Sequence, residues 1–81
     1  MIHFELEENE IKILYLLTQR GAMSPSQVAA EMWLLPGETL TLLQSLADEN
    51  FVIMRSDTNS SDGMVVAPTA KARSFVKGGT S

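Results

Sequence analysis

The sequence predicts an α+β fold that is mainly α: a three-helix core, a β-hairpin and a short C-terminal helix. Three observations carry this. Residues 7–49 hold three helix-spaced apolar stretches, with only the tight "WLLPGE" turn between the second and third. Residues 51–68 then change character, with two β-prone runs either side of a polar segment ending in Asp62-Gly63. A Pro68-Thr69 pair closes the second run and opens a last helical stretch.

Taken in order, "IHFEL" alternates Ile2, Phe4 and Leu6 with polar residues, which reads as a short half-buried strand or extended arm. The next stretch, "EENEIKILYLLTQRG", opens on Glu7, Glu8 and Glu10 and ends on Arg20 and Gly21. Acid at the start and base at the end complement a helix dipole, and the glycine is a C-terminal stop. Its apolar set, Ile11, Ile13, Leu14, Tyr15, Leu16 and Leu17, wraps more than half of the helix. Such a helix is buried on several sides or turns one face to a partner.

In "SPSQVAAEM", Ser24 stands as N-cap, Pro25 at the first helical position and Gln27 three residues after the cap. This capping box predicts a short second helix over 25–32. After the turn, a third helix is expected from about 37 to 49, with Leu40, Leu43, Leu46 and Ala47 toward the core and Asn50 as its cap. "FVIMR" (51–55) and "MVVAP" (64–68) flank "SDTNSSDG" as two strands of a hairpin. Thr69 caps a final helix in "AKARSFV", and residues 77–81 are expected to fray. No internal repeat or linker interrupts the chain, so residues 1–81 are expected to be a single domain.

Composition narrows the function. The chain has 81 residues, 44% of them hydrophobic, and no cysteine, which suits one small globular domain without disulfides, thiolate metal sites or a cysteine nucleophile. The start turns acidic within five residues, unlike a signal peptide, and no apolar run is long enough to span a bilayer. A soluble cytoplasmic protein with no membrane partner is the expectation. A formal charge of −4 argues against a broad nucleic-acid surface, because non-specific DNA affinity comes from neutralising phosphates.

The order of these pieces resembles the winged helix-turn-helix, closest to the MarR-like transcription regulators. "LEENEIKILYLL" is similar to that family's first core helix. "SPSQVAAEMWLLPGETLTLLQSLADENFV" is similar to its helix-turn-helix, ending in Asp48, Glu49, Asn50, Phe51 and Val52. "PTAKAR" (68–73) is similar to the exit from the wing, where Thr69 and Arg73 match the family pattern while Pro68 and Ala72 depart. The resemblance implies a DNA-binding fold in which the third helix enters the major groove. Two features depart from it: the long terminal helices with which that family dimerises are absent, and so are the basic residues expected on the third helix and in the wing.

In the resembled geometry the outward residues of the third helix are Gly37, Glu38, Thr41, Gln44 and Ser45. Glutamine can pair with adenine, glutamate can accept from cytosine, and threonine or serine can touch bases or phosphates. None neutralises a phosphate, and the stretch "PGETLTLLQSLADEN" contains no lysine or arginine. The same residues serve equally as a solvated helix face. In the wing, Asn59 and Ser60 can donate to phosphates but are ordinary turn residues, and Arg55 is the one basic neighbour of Asp57 and Asp62. Of the six basic residues, Lys12, Arg20, Arg55, Lys71, Arg73 and Lys77, four follow the third helix. They would form at most a modest basic patch at the hairpin base, in which Lys71 is a phosphate candidate and Arg73 a structural contact.

Trp33 carries two readings. It plugs the core near the turn, or with Leu34 and Leu35 it forms an exposed apolar patch that anchors a partner. Tyr15, on the wide apolar face of the first helix, is a further partner candidate. The five methionines are read as core filling. For catalysis the inventory is poor. His3 is the sole histidine, and Ser24 and Ser26 have no base near them in sequence. The glutamates at 5, 7, 8 and 10 are better explained by the helix dipole than by a metal, and no glycine-rich phosphate loop occurs. An enzyme, a metal and a cofactor are not expected.

The expectation is therefore a small winged-helix DNA-binding protein, a transcriptional regulator that dimerises or acts within a complex. The alternative is a winged-helix module that binds a protein partner and not double-stranded DNA. A weaker third reading is an acidic DNA mimic facing another regulator's basic surface.

Overall fold

The computed structural model describes residues 6–60 and 62–78. Its element order is α1 (Glu8–Arg20), α2 (Pro25–Met32), α3 (Pro36–Asp48), β1 (Val52–Ser56), β2 (Met64–Pro68) and α4 (Ala70–Gly78). The expected N-terminal strand or arm falls on residues 2–6, of which all but Leu6 lie outside the described residues; Leu6 is non-helical and packs against the core. Among the described residues, no helix is long and apolar enough to cross a membrane.

Local chemistry sets the helix starts. Glu7 and Glu10 form a reciprocal capping box on α1, and Ser24 and Gln27 form one on α2, where Pro25 occupies the first turn. The ends are set by left-handed residues. Gly21 (φ 89°) terminates α1, its N–H donating to the Leu17 carbonyl at 2.7 Å. Asn50 (φ 66°) follows α3, and the N–H of Phe51 reaches back to the Leu46 carbonyl at 2.8 Å. This is the closing pattern in which the residue after the left-handed one turns into the core. Phe51 duly lies buried there.

The core is one cluster drawn from every element. Ile13, Leu14 and Leu17 of α1 meet Val28 of α2, Leu42, Leu43 and Leu46 of α3, Phe51 and Val52, Val66 of β2 and Ala72 of α4. The hairpin is antiparallel in the register Val52↔Pro68 to Ser56↔Met64. An isolated bridge extends it: Met23 and Val66 exchange N–H···O=C bonds of 2.9 and 2.7 Å, stitching the hairpin to the segment before α2. Thr69 ties the hairpin's exit to the end of α3. Its hydroxyl lies 2.7 Å from the Asn50 carbonyl and 3.1 Å from that of Phe51, and it accepts from the Ala72 N–H at 3.3 Å as the cap of α4. Phe51 and Phe75 pack edge-on, 5.5 Å between centroids, fixing α4 over the base of α3.

Three expectations are corrected. The buried face of α3 is Thr39, Leu42, Leu43 and Leu46, whereas Leu40 is 39% exposed. Leucines at 40, 42 and 43 leave two apolar faces open to the helix, and contact with α1 and β1 chooses between them. Trp33 does not plug the core: it is 94% exposed. It ends α2 in the left-handed region (φ 59°), and the Leu34 N–H donates to the Ala29 carbonyl at 3.0 Å. That geometry turns Leu34 inward against the core and Trp33 out. Finally, α4 continues through Lys77 and Gly78, residues expected to fray.

Candidate nucleic-acid interface

On α3, Gly37, Glu38, Thr41, Gln44 and Ser45 are all exposed. The 100° step per residue places Gly37, Thr41 and Gln44 at the centre of the outward face, opposite Thr39, Leu42, Leu43 and Leu46. Thr41's hydroxyl donates to the Gly37 carbonyl at 3.1 Å, so its oxygen faces outward as an acceptor. With the Glu38 carboxylate beside it, this face is rich in acceptors and suits the exocyclic amines of cytosine and adenine. No side chain caps the N-terminus of α3 at Leu35, which leaves the first-turn amides as the face's positive end. A Cβ built at Gly37 meets nothing within 4 Å.

The wing spends its polar groups on itself. Asn59's N–H donates to Asp57 Oδ1 at 2.9 Å, the Asp62 N–H to Ser60 Oγ at 3.3 Å, and the Asp57 N–H to the Gly63 carbonyl at 3.0 Å. Asp62 Oδ2 accepts the Ser26 N–H at 2.7 Å, docking the wing on the N-terminus of α2. Asp62, one of the two acids that the sequence sets beside Arg55, is thus the wing's anchor. A carboxylate beside an opening helix was the available signal, but nothing in the sequence says which helix lies 36 residues away.

The basic residues do not gather at this face. No lysine, arginine or histidine occurs from residue 21 to residue 54. Arg55 is exposed on β1 opposite Val65, and is the one basic residue between residues 21 and 70 of the sequence. Lys71 sits at the other end of α3: its Nζ donates to the Glu49 carbonyl at 2.6 Å and lies 4.6 Å from the Phe51 ring centre. A 13-residue helix is about 20 Å long, which separates Lys71 from Gly37 and Glu38 by nearly that distance. Arg20 pairs with Glu31 of α2 at 3.3 Å and Lys12 with Glu8 at 3.3 Å. Arg73 is exposed on α4, and its side chain makes no hydrogen bond or ion pair among the described residues.

Of the candidate partner residues, Trp33 and Leu35 are exposed together at the turn, Leu35 by 73%, whereas Leu34 is packed inward and Tyr15 stands on α1 at 39% exposure. Beside α3 the structure also opens an apolar hollow of about 250 Å³, lined by Pro25, Ser26, Pro36, Leu40, Asp62 and Met64. Among the described residues no group of three or more His, Asp or Glu side chains is placed to hold a metal ion.

No protein-family model matches this chain, and no curated protein sequence matches it. Solved structures do. A mutant MarR of E. coli in complex with operator DNA superposes with TM-score 0.82 at 15% identity, over 90% of this chain and 52% of that one. The S. aureus MepR–DNA complex gives TM-score 0.84 at 15% identity, over 94% and 63%. The zinc-responsive MarR family member ZitR of Lactococcus lactis gives 0.81 at 18% identity, over 94% and 52%. The fold is a winged helix-turn-helix resembling MarR-like proteins, and this chain spans about half the length of the MarR and ZitR chains and 63% of the MepR chain.

Proposed function

We propose that this winged-helix chain is a DNA-binding transcriptional regulator that reads base edges with α3 and grips phosphates weakly. The observation that carries the reading is the exposed face of Gly37, Glu38, Thr41, Gln44 and Ser45, standing beside the wing in a fold shared with two structures solved on DNA. In such a fold the third helix enters the major groove and its N-terminal half meets base edges. Here that half offers the acceptors Glu38 and Thr41, and just past the middle of the helix the same face carries one amide side chain, Gln44, of the type that pairs bidentately with adenine.

Phosphate contacts come from few groups: Arg55 near the wing, the hydroxyl and amide groups of Asn59 and Ser60, and the open first turn of α3. Since affinity scales with phosphates neutralised, a single copy binds weakly, and useful occupancy requires two copies or a complex on adjacent half-sites about one helical turn apart. Lys71 holds the far end of α3 rather than a phosphate. Fluorescence anisotropy with random and selected duplexes at low and moderate salt tests the reading. Retention at low salt with a sequence preference altered by Gln44→Ala is the expected result; no retention at low salt overturns it.

A further inference from the structure

Most carboxylates among the described residues have a structural use. Glu7 and Glu10 share the capping box of α1. Glu8 pairs with Lys12 and Glu31 with Arg20, each at 3.3 Å. Asp57 accepts the Asn59 N–H at 2.9 Å, and Asp62 the Ser26 N–H at 2.7 Å. Glu38 differs from these. It is exposed in the first turn of α3, and its carboxylate makes no hydrogen bond or ion pair among the described residues. Asp48 and Glu49 are exposed as well, but they stand at the other end of the helix, about 15 Å along its axis.

The surroundings of that carboxylate make it selective toward a duplex. No basic residue occurs from residue 21 to residue 54, so nothing on α2 or α3 offsets its charge. Gly37 before it has no side chain and open space around it, so nothing there holds the first turn off a base edge. In the major groove a carboxylate meets four kinds of edge. Guanine shows O6 and N7 and thymine shows O4, all acceptors that repel it. Adenine offers its N6 amine between two acceptors, its own N7 and thymine O4 across the pair. Cytosine offers its N4 amine with an acceptor on one side only, guanine O6, and a C–H on the other. Cytosine is therefore the base that suits Glu38 best.

We propose that Glu38 is the specificity-determining residue of this face. It accepts a hydrogen bond from the N4 amine of a cytosine at one fixed position of the duplex, and it rejects sequences that lack that cytosine. This inference rests on the DNA-binding reading and deepens it. At cytosine the carboxylate gains a charge-assisted hydrogen bond in place of the water it loses. At guanine or thymine it is desolvated against acceptors, with no cation on α3 to relieve it. The discrimination is thus as much repulsion of wrong sequences as attraction of the right one. Glu38 also complements the positive end of α3, but that role adds stability without any sequence preference.

The test is selection from a random duplex library at low salt. It uses the full chain, Glu38→Gln, which keeps the size and removes the charge, and Glu38→Ala. The unaltered chain is expected to select cytosine at one position where neither variant does. Both variants should hold unselected duplex at least as tightly as the unaltered chain, since a repelled charge is gone. Replacing the selected cytosine by uracil, paired with adenine, exchanges the amine for a carbonyl without adding a methyl group. This change should weaken the unaltered chain by about tenfold or more, within the range of single mismatches, and Glu38→Ala by less than about threefold. A cytosine preference shared by all three proteins, or absent from the unaltered chain, overturns the proposal and leaves the DNA-binding reading standing. So does weaker retention of unselected duplex by both variants. A fall in urea stability with an unchanged sequence preference reduces Glu38 to its dipole role and overturns the proposal too. Failure of the unaltered chain to retain any duplex at low salt overturns the DNA-binding reading itself, and this inference with it.

Discussion

Trp33 takes a backbone conformation that costs an L-residue roughly 1–2 kcal/mol, and its side chain recovers little of this inside the monomer because it lies in solvent. Trp33→Gly should therefore leave the folded monomer as stable as before or raise its stability by up to about 1 kcal/mol in urea unfolding, the gain trimmed by glycine's greater freedom in the unfolded chain. Leu43→Ala, in the core, is expected to lower stability by about 2–5 kcal/mol in the same assay. Between these extremes sits Thr69, whose hydroxyl joins the end of α3 to the start of α4. Thr69→Ala should cost about 0.5–2 kcal/mol, the range for lost helix caps.

Besides the shared core, several elements are fastened at their ends. The wing is pinned by Asp62 on the amide of Ser26 and by the Met23–Val66 bridge. Asp62→Ala should raise amide hydrogen exchange at Ser26 and Gly63 while leaving the exchange of α1 core amides unchanged. The C-terminus of α3 is held by Lys71, placed where a cation complements the helix dipole and lies over Phe51. Lys71→Ala should accordingly lower unfolding stability by about 0.3–1 kcal/mol and leave duplex affinity unchanged. A uniform loss of affinity across all duplexes would instead place Lys71 on a phosphate. At the other end of α3, Gly37 has open space around it. Gly37→Lys should raise affinity for every duplex and steepen its salt dependence by about 0.9 in log–log slope, the increment for one added phosphate contact.

For the molecule as a whole, the charge map governs how the proposed duplex contact depends on salt. Residues 21–54, which include α2 and α3, carry no basic side chain, and the cations gather on α1, β1 and α4. A duplex docked on α3 therefore meets few compensating charges. The unaltered chain should show a log–log salt slope no steeper than about −3, against about −10 for a strongly electrostatic repressor. A steeper slope would mean that Arg73 or Lys77 of α4 reaches the backbone.

Element identity was legible because local chemistry over-determined it: the Ser24–Gln27 box, Gly21, Asn50, the Asp62-Gly63 turn and Thr69 act within a few residues of the structures they set. The exposed face of α3 was legible too, since Gly37, Glu38, Thr41, Gln44 and Ser45 follow the helical period. What distant contacts decide stayed hidden. Leu40 and Leu42 are the same residue type, and only packing against α1 and β1 put one outside and the other in. Trp33 is apolar and next to a leucine pair, yet the left-handed closure of α2 sends it to solvent and Leu34 inward. Asp62 finds Ser26 across 36 residues because the hairpin folds back on α2. By itself the sequence determined the order of the helices and strands and, to within a residue, the ends of α2, α3 and the hairpin strands, because caps and turns are short-range hydrogen bonds; the end of α4 it did not. The tertiary structure alone decided which apolar side chains face water, because that depends on which surfaces the chain has already used to cover its core.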